Sequence, residues 1–243
     1  MINKKLGYIF KKTKYDLSKN KSFCNNLKTT YIHIHKCGGS SVRTNFKNLL
    51  NFQIESHSPL SFYYDPRKIY ITTIRKPKEF YISFYNYHKF NPNSRYYQLF
   101  NLKKNNFDEF LKLCLPLSNK LDFDQMHYYQ KIQWKGIESF KKNNTSIGFY
   151  SFIILNMVLK NPDYAFRIDN QQDLLTFFYK DHEIDTYFKV NKKMTQNIQE
   201  YLNVNTTNLE INKGDNYNND YRVDPINLSK FDYLANELYI NAT

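Results

Sequence analysis

The chain has 243 residues, a formal net charge of +13, and 41% hydrophobic and 18% aromatic residues. This length and apolar content allow a sizeable core and exclude a disordered tail, and six glycines exclude a glycine-rich low-complexity chain. The positive charge comes mainly from lysine in an asparagine-rich sequence, a pattern that codon bias produces without a nucleic-acid partner. We therefore expect one folded domain over residues 1–243, with 1–27 as an N-terminal extension and no nucleic acid as partner.

Membrane insertion and secretion are not expected either. The most apolar run, residues 149–159, is short and is interrupted by Ser151 and Asn156. Residues 1–12 contain lysines but no apolar segment of a signal peptide, which predicts a cytoplasmic protein. Three cysteines without CxxC spacing indicate free thiols in a reducing compartment and no cysteine-rich zinc site.

Two strand, turn and helix units follow each other in the first part of the chain. Residues 29–35 alternate as a strand does, 36–41 form a glycine turn, and 42–50 have helical apolar spacing. After a loop over 57–67, residues 68–74 predict a second strand, 75–77 a turn, and 78–88 an aromatic-rich helix. Successive units of this kind predict an α/β fold with a central parallel sheet flanked by helices.

The rest of the chain is predicted to be mainly helical at first. Residues 91–106 are expected to form a loop, and 107–114, 123–134 and 146–160 to form helices, so that 91–160 is a helical insertion on the acceptor side. The strand and helix alternation then resumes, with a strand over 164–169 and a helix over 171–180. An asparagine-rich loop over 203–219 and an amphipathic helix over 227–240 complete the prediction.

The turn Lys-Cys-Gly-Gly-Ser-Ser at 36–41 has the composition of an anion site. A glycine pair between a strand and a helix lets backbone N–H groups approach an anion at the positive end of the helix dipole. Lys36 adds a positive charge beside it. Because the lysine precedes the glycines, the Walker A pattern of nucleotide triphosphatases is absent.

The segment from Ile34 to Ser41 resembles the 5′-phosphosulfate loop of sulfotransferases that use 3′-phosphoadenosine 5′-phosphosulfate (PAPS), with His35 where that family usually has proline. Residues 74–85 resemble the family's 3′-phosphate motif. The matching positions of this second motif are Arg75, Pro77, Ser83 and Tyr85, and Phe80 stands where the family usually has arginine.

Weaker likenesses extend the resemblance to about residues 29–240. His127 and Gln130 resemble an H-x-x-Q pair of the family, residues 164–178 a later strand and helix, and Lys213 part of a loop that closes over the nucleotide. Within the family the chain is most similar to carbohydrate sulfotransferases of the heparan 2-O-like and bacterial or viral kind.

The resemblance implies a P-loop-like three-layer α/β fold, with PAPS as sulfuryl donor, 3′-phosphoadenosine 5′-phosphate as product, no metal, and a carbohydrate or glycan as acceptor. Lys36 is then the catalytic residue that stabilises the bridging oxygen, and His57 or Glu55 is the base. His127 and Gln130 are the implied acceptor contacts. The implied nucleotide contacts are Lys36, Cys37, Gly38, Gly39, Ser40, Ser41, Arg75, Ser83 and Lys213.

Two other functions are compatible with the sequence. A P-loop phosphotransferase of the kinase type would need a serine or threonine after a Walker A lysine and a metal-holding aspartate. A basic module that binds an anionic polymer would show affinity with steep salt dependence and no need for a nucleotide.

Overall fold

The chain forms a mixed α/β fold around a parallel sheet. The computed structural model describes residues 29–52, 59–123, 137–143, 146–204 and 221–243. Its strands are β1 (Thr29–Ile32), β2 (Asn51–Phe52), β3 (Ile69–Ile74) and β4 (Ile184–Lys189), all parallel and in the spatial order β2-β1-β3-β4. The prediction of an α/β fold with a parallel sheet flanked by helices is confirmed.

The register of the two central strands fixes where their following loops lie. Thr29 of β1 pairs with Ile69 of β3, and Ile32 pairs with Thr72. Because parallel strands run in the same direction, the turns that follow β1 and β3 emerge at the same edge of the sheet. The two turns that the sequence singles out are therefore neighbours.

Helices alternate with the strands and fill the middle and the end of the chain. The helices of the described residues are α1 (Gly39–Phe46), α2 (Pro77–Lys89), α3 (Arg95–Leu99), α4 (Phe107–Cys114), α5 (Ile137–Asn143), α6 (Phe149–Val158), α7 (Pro162–Ala165), α8 (Gln171–Asp181), α9 (Met194–Leu202), α10 (Pro225–Phe231) and α11 (Tyr233–Asn241). A short 3₁₀ turn covers Leu60–Phe62. Among these residues, no helix is both long and apolar enough to cross a membrane.

The sheet separates two apolar clusters, because successive side chains of a strand point to opposite faces. Tyr31 and Ile71 belong to the smaller cluster, which α1 and α9 cover. Ile32 and Tyr70 belong to the larger cluster on the other face, which contains the buried residues of α2, α4 and α6. Burial on both faces explains why the strands β1 and β3 are almost fully buried.

The predicted strand over 164–169 is wrong. Pro162 occupies the first turn of the short helix α7, and the N–H groups of Arg167 and Ile168 donate to the carbonyls of Tyr164 and Ala165. These turns use the backbone groups that a strand would need for its ladder. The fourth strand is instead Ile184–Lys189, which the prediction missed.

Other boundaries differ in smaller ways. The predicted helices over 78–88, 107–114 and 171–180 are confirmed, whereas α1 ends at Phe46. The expected loop over 91–106 contains α3, whose first turn is capped by the side chain of Ser94. The C-terminal helix is divided at Asp232 into α10 and α11. Residues 124–134 of the predicted helix over 123–134 and residues 205–219 of the predicted loop over 203–219 lie outside the described residues.

Candidate functional site

The turn between β1 and α1 is a tight loop with left-handed backbone at two positions. Lys36 has φ +56° and Gly38 has φ +78°. The N–H of Cys37 donates to the carbonyl of Ile34 at 3.2 Å, which closes the turn. Gly38 suits its position because a residue without Cβ adopts positive φ at no steric cost. A Cβ added to Gly38 would also lie 3.1 Å from the sulfur of Met194.

Two histidines before the loop are packed against it. A Cβ at Gly39 would lie 2.0 Å from the His33 imidazole, so only glycine fits there while that ring stays in place. His35, the position where the resembling family has proline, places its ring edge-on to Tyr96 with centroids 5.4 Å apart. Both histidine side chains are half-buried and shape the loop.

Among the described residues, no side chain caps the N-terminus of α1. Gly38 at the N-cap offers no side chain, and within this helix no acidic residue stands in the first turn. The N–H groups of Gly39, Ser40 and Ser41 have no intrahelical acceptor, because the first turn of any helix leaves them without one. Ser40 is exposed and Ser41 half-buried. These groups form a positive helix end that can receive an anion.

Lys36 extends from the loop towards α2. Its Nζ lies 3.8 Å from the centroid of the Tyr87 ring. Tyr87 is 42% exposed and stands one helical turn after Ser83, which is half-buried. Residues four apart share one face of a helix, so Ser83 and the Lys36 ammonium lie on the same side of α2.

Arg75 follows directly after β3 and is half-buried. Its Nε is buried, and no hydrogen-bond partner for it lies within the described part of the chain. A buried donor without a partner costs about 1–3 kcal/mol, more when the group is charged. An oxyanion that reaches this guanidinium would satisfy the donor with a charge-assisted bond.

The side chain of Tyr150 joins the two loops. Its Oη lies 3.1 Å from Cys37 Sγ, accepts a hydrogen bond from the N–H of Arg75 at 2.9 Å, and donates to the carbonyl of Arg75 at 3.1 Å. Phe80 lies flat on the Tyr150 ring, with centroids 3.8 Å apart and an interplanar angle of 6°. Phe80, which replaces the arginine of the resembling family, is thus a fully buried core residue.

Cys37 is fully engaged within the protein. Besides the Tyr150 contact and its bonded N–H, its carbonyl accepts a hydrogen bond from the Thr73 hydroxyl. Burial raises the pKa of the Cys37 thiol to about 11, so it stays protonated at neutral pH. Cys37 therefore holds the loop in shape.

The turns that carry Lys36, Gly38, Gly39, Ser40, Ser41 and Arg75 emerge at one sheet edge, and Ser83 lies on α2, the helix that follows the second turn. Tyr150 was missed by the sequence analysis because it lies in the apolar run over 149–159, which is typical of a core helix. Five other predicted site residues lie outside the described residues: Glu55, His57, His127, Gln130 and Lys213. Within the described ranges, no group of three or more His, Cys, Asp or Glu side chains is placed to hold a metal ion.

A surface concavity of about 450 Å³ lies along α10, away from these loops in the sequence. Its lining contains one charged side chain, Lys230. None of its residues belongs to the two loops or contacts them in a described hydrogen bond. The paired cationic groups occur at the sheet edge, which we take as the candidate site.

We compared the chain with models of protein families, with curated proteins and with solved structures, and none of them matches it. The geometry of the two loops is therefore the basis on which a function can be proposed.

Proposed function

We propose that the chain is a sulfotransferase with a P-loop-like fold, which transfers a sulfuryl group from PAPS to a hydroxyl of a carbohydrate acceptor in the cytoplasm. The observation that carries the proposal is the buried Nε of Arg75, for which the described residues supply no hydrogen-bond partner. Arg75 follows β3 at the same sheet edge as the N-terminus of α1, which no described side chain caps. Two separate groups that can bind an anion lie at one sheet edge, which suits a sulfuryl donor with phosphate at both the 3′ and the 5′ position of its nucleoside.

Each end of the donor has its own set of groups in this proposal. The 5′-phosphosulfate binds the amides of Gly38 and Gly39 and the amides and hydroxyls of Ser40 and Ser41, in the manner of anions at helix N-termini. The 3′-phosphate binds the forked guanidinium of Arg75. The hydroxyl of Ser83 and the ammonium of Lys213 complete the nucleotide contacts.

The chemical step is an in-line displacement at sulfur. The acceptor oxygen forms a bond to sulfur while the bond from sulfur to the bridging oxygen of the 5′-phosphate breaks, and the electron pair of that bond stays on the bridging oxygen. The Lys36 ammonium stabilises the charge that develops there. The proton of the acceptor hydroxyl passes to His57 or Glu55 as general base.

Lys36 is able to reach a bound donor. Its ammonium at present contacts the exposed ring of Tyr87, an interaction of about 0.5–1 kcal/mol at such a site. A phosphosulfate is a stronger partner for an ammonium than a tyrosine ring, and the four-carbon stem of lysine is flexible. The proposal includes no metal ion, since a sulfuryl group carries less charge than a phosphoryl group. His127 and Gln130 are the proposed acceptor contacts.

The test compares two single variants, each of which replaces an arginine near one end of β3. Arg75→Ala removes the proposed 3′-phosphate ligand, whereas Arg67→Ala removes an exposed arginine that pairs with Asp65 before β3. We expect Arg75→Ala to weaken binding of 3′-phosphoadenosine 5′-phosphate by about tenfold or more in calorimetric titration, because a charge-assisted bond is lost. Arg67→Ala, with the same charge change, should bind as the unmodified chain does. Equal affinity in both variants would remove Arg75 from the site.

A further inference from the structure

The Tyr150 hydroxyl is the point at which the glycine loop and the Arg75 turn meet. We propose that Tyr150 is a positioning residue that fixes the distance between the two loops, and so matches the site to the two phosphate ends of one nucleotide. The proposal rests on the function proposed above. Tyr150 stands on α6, outside both motifs that the sequence analysis identified.

The hydrogen bonds of this hydroxyl form a consistent set. A phenol has one proton to donate and can accept two hydrogen bonds. The proton goes to the carbonyl of Arg75, the N–H of Arg75 donates to the oxygen, and the Cys37 thiol supplies the remaining donor. Both partners, Cys37 and Arg75, belong to loops that are proposed to contact the nucleotide. Cys37 lies between Lys36 and Gly38, and Arg75 is itself a proposed contact.

The ring that carries the hydroxyl is held from several sides. Phe80 stacks on it, and the whole Tyr150 side chain is buried. The N–H of Tyr150 donates to the Tyr81 hydroxyl at 3.2 Å, and that hydroxyl donates to the carboxylate of Asp232 at 2.5 Å. A side chain fixed at both its backbone and its ring cannot move without disturbing the core, so it can set the positions of softer loops.

The position of Phe80 supports the same interpretation. The proposed site needs the glycine loop and the Arg75 turn to be held near one ligand. Where the resembling family usually has a charged arginine, this chain has Phe80, whose ring stacks on Tyr150. Thr73, near the end of β3, also holds the glycine loop, because its hydroxyl donates to the carbonyl of Cys37. The arrangement therefore depends on buried hydrogen bonds from β3 and α6 to a single loop residue.

The experiment compares Tyr150→Phe with Tyr187→Phe. Tyr187 is also buried, but within the described residues its hydroxyl has no hydrogen-bond partner, so its loss is the matched control. Amide hydrogen exchange without ligand and calorimetric titration with 3′-phosphoadenosine 5′-phosphate are measured on both. In Tyr150→Phe we expect exchange of the Arg75 amide to rise at least about tenfold relative to the Ile71 amide, and the affinity to fall by about tenfold.

A second variant keeps the proposal testable if Tyr150→Phe folds poorly. Cys37→Ala cuts the link to the glycine loop but retains both bonds between Tyr150 and Arg75. It should lower the affinity while the Arg75 amide stays protected. Unchanged affinity in both variants, with the unmodified chain binding the bisphosphate, would overturn the positioning role. An unmodified chain that does not bind the bisphosphate would overturn the proposed function, and the exchange arm alone would then show whether Tyr150 holds the loops.

Discussion

Lys36 combines a strained backbone with a charged side chain that is half-buried. A non-glycine residue at φ +56° costs on the order of 1 kcal/mol, and such strain persists only where surrounding contacts enforce it. Here the hydrogen bonds of Cys37 on the next position enforce it. The strain directs the lysine stem across the edge of the sheet, where its ammonium contacts Tyr87.

The role of Lys36 predicts a specific loss of turnover. Lys36→Met keeps the aliphatic stem and removes the charge that would stabilise the bridging oxygen. We expect the rate of 3′-phosphoadenosine 5′-phosphate release from PAPS with acceptor to fall at least about 100-fold, a range typical for the loss of one transition-state donor. Lys47→Met, an exposed lysine at the end of α1, should leave the rate unchanged. Equal rates in the two variants would contradict the assignment.

The sequence predicted several residues of the candidate site, but it did not predict all of the contacts that require those residue types. The resemblance to PAPS-dependent sulfotransferases implied that the Lys36 and Arg75 turns belong to one site, and the register of β1 and β3 brings the two turns to the same edge of the sheet. Gly39 was expected to be glycine for the approach of an anion, but the His33 ring also requires it. That contact and the hydrogen bonds of Tyr150 join residues far apart in the chain, and no local pattern encodes them.

Among the elements, α6 has an unusual N-terminal cap. Gly148 has no side chain to cap the helix, and the buried carboxylate of Asp232 instead accepts a hydrogen bond from the N–H of Ser151 at 2.8 Å. A carboxylate is favoured at the positive end of a helix. The junction of α10 and α11 thereby fixes the helix that carries Tyr150.

The close contact of Gly148 with Asp232 predicts a destabilised Gly148→Ala variant. The added Cβ would lie 2.4 Å from Asp232 Oδ1, so the buried carboxylate would have to move. We expect a loss of about 1–3 kcal/mol in the free energy of unfolding, measured with urea. Gly148→Ala combined with Asp232→Ala should cost less than the sum of the single changes, because the clash is then absent. Strict additivity would contradict the contact.

Elements with strong local sequence signals were predicted well, whereas β4, whose position depends on pairing within the sheet, was not. Helix α4 carries a capping box between Asn106 and Glu109, so its start could be located from the sequence. Strand β4 has no such signal: its polar residues Asp185 and Thr186 are half-buried, and its place is fixed by pairing with β3. The alternation over 164–169 predicted a strand there, but Pro162 begins a helix immediately before it.

For the whole molecule, the buried Asp232 and the half-buried His182 give opposite contributions to stability below neutral pH. Burial raises the pKa of Asp232 to about 6 from 3.8, so its contribution to stability is largest at low pH and is lost as the pH rises from about 4 to 6. Burial lowers the pKa of His182 to about 4 from 6.5, so its contribution is present above 6.5 and is lost as the pH falls to 4. Each contribution is on the order of 3 kcal/mol.

Removing one of these groups should therefore reveal the pH dependence that the other contributes to the free energy of unfolding. Relative to the unmodified chain, Asp232→Asn should lose about 3 kcal/mol more stability on acidification from pH 6.5 to 4. His182→Phe, which keeps the ring stacked on Phe178, should show the opposite slope. Urea unfolding at several pH values measures both. Parallel profiles for the three proteins would contradict the assigned pKa directions.

In the function that we propose, this sheet edge binds a nucleotide through two separate phosphates. Calorimetric titration of the unmodified chain without added metal, with 3′-phosphoadenosine 5′-phosphate compared with ATP and with 5′-AMP, tests it most directly. We expect at least about tenfold tighter binding of the bisphosphate than of either other nucleotide, because neither of them carries the 3′-phosphate that Arg75 would bind. Equal affinities for the three nucleotides, or no binding of the bisphosphate, would contradict it.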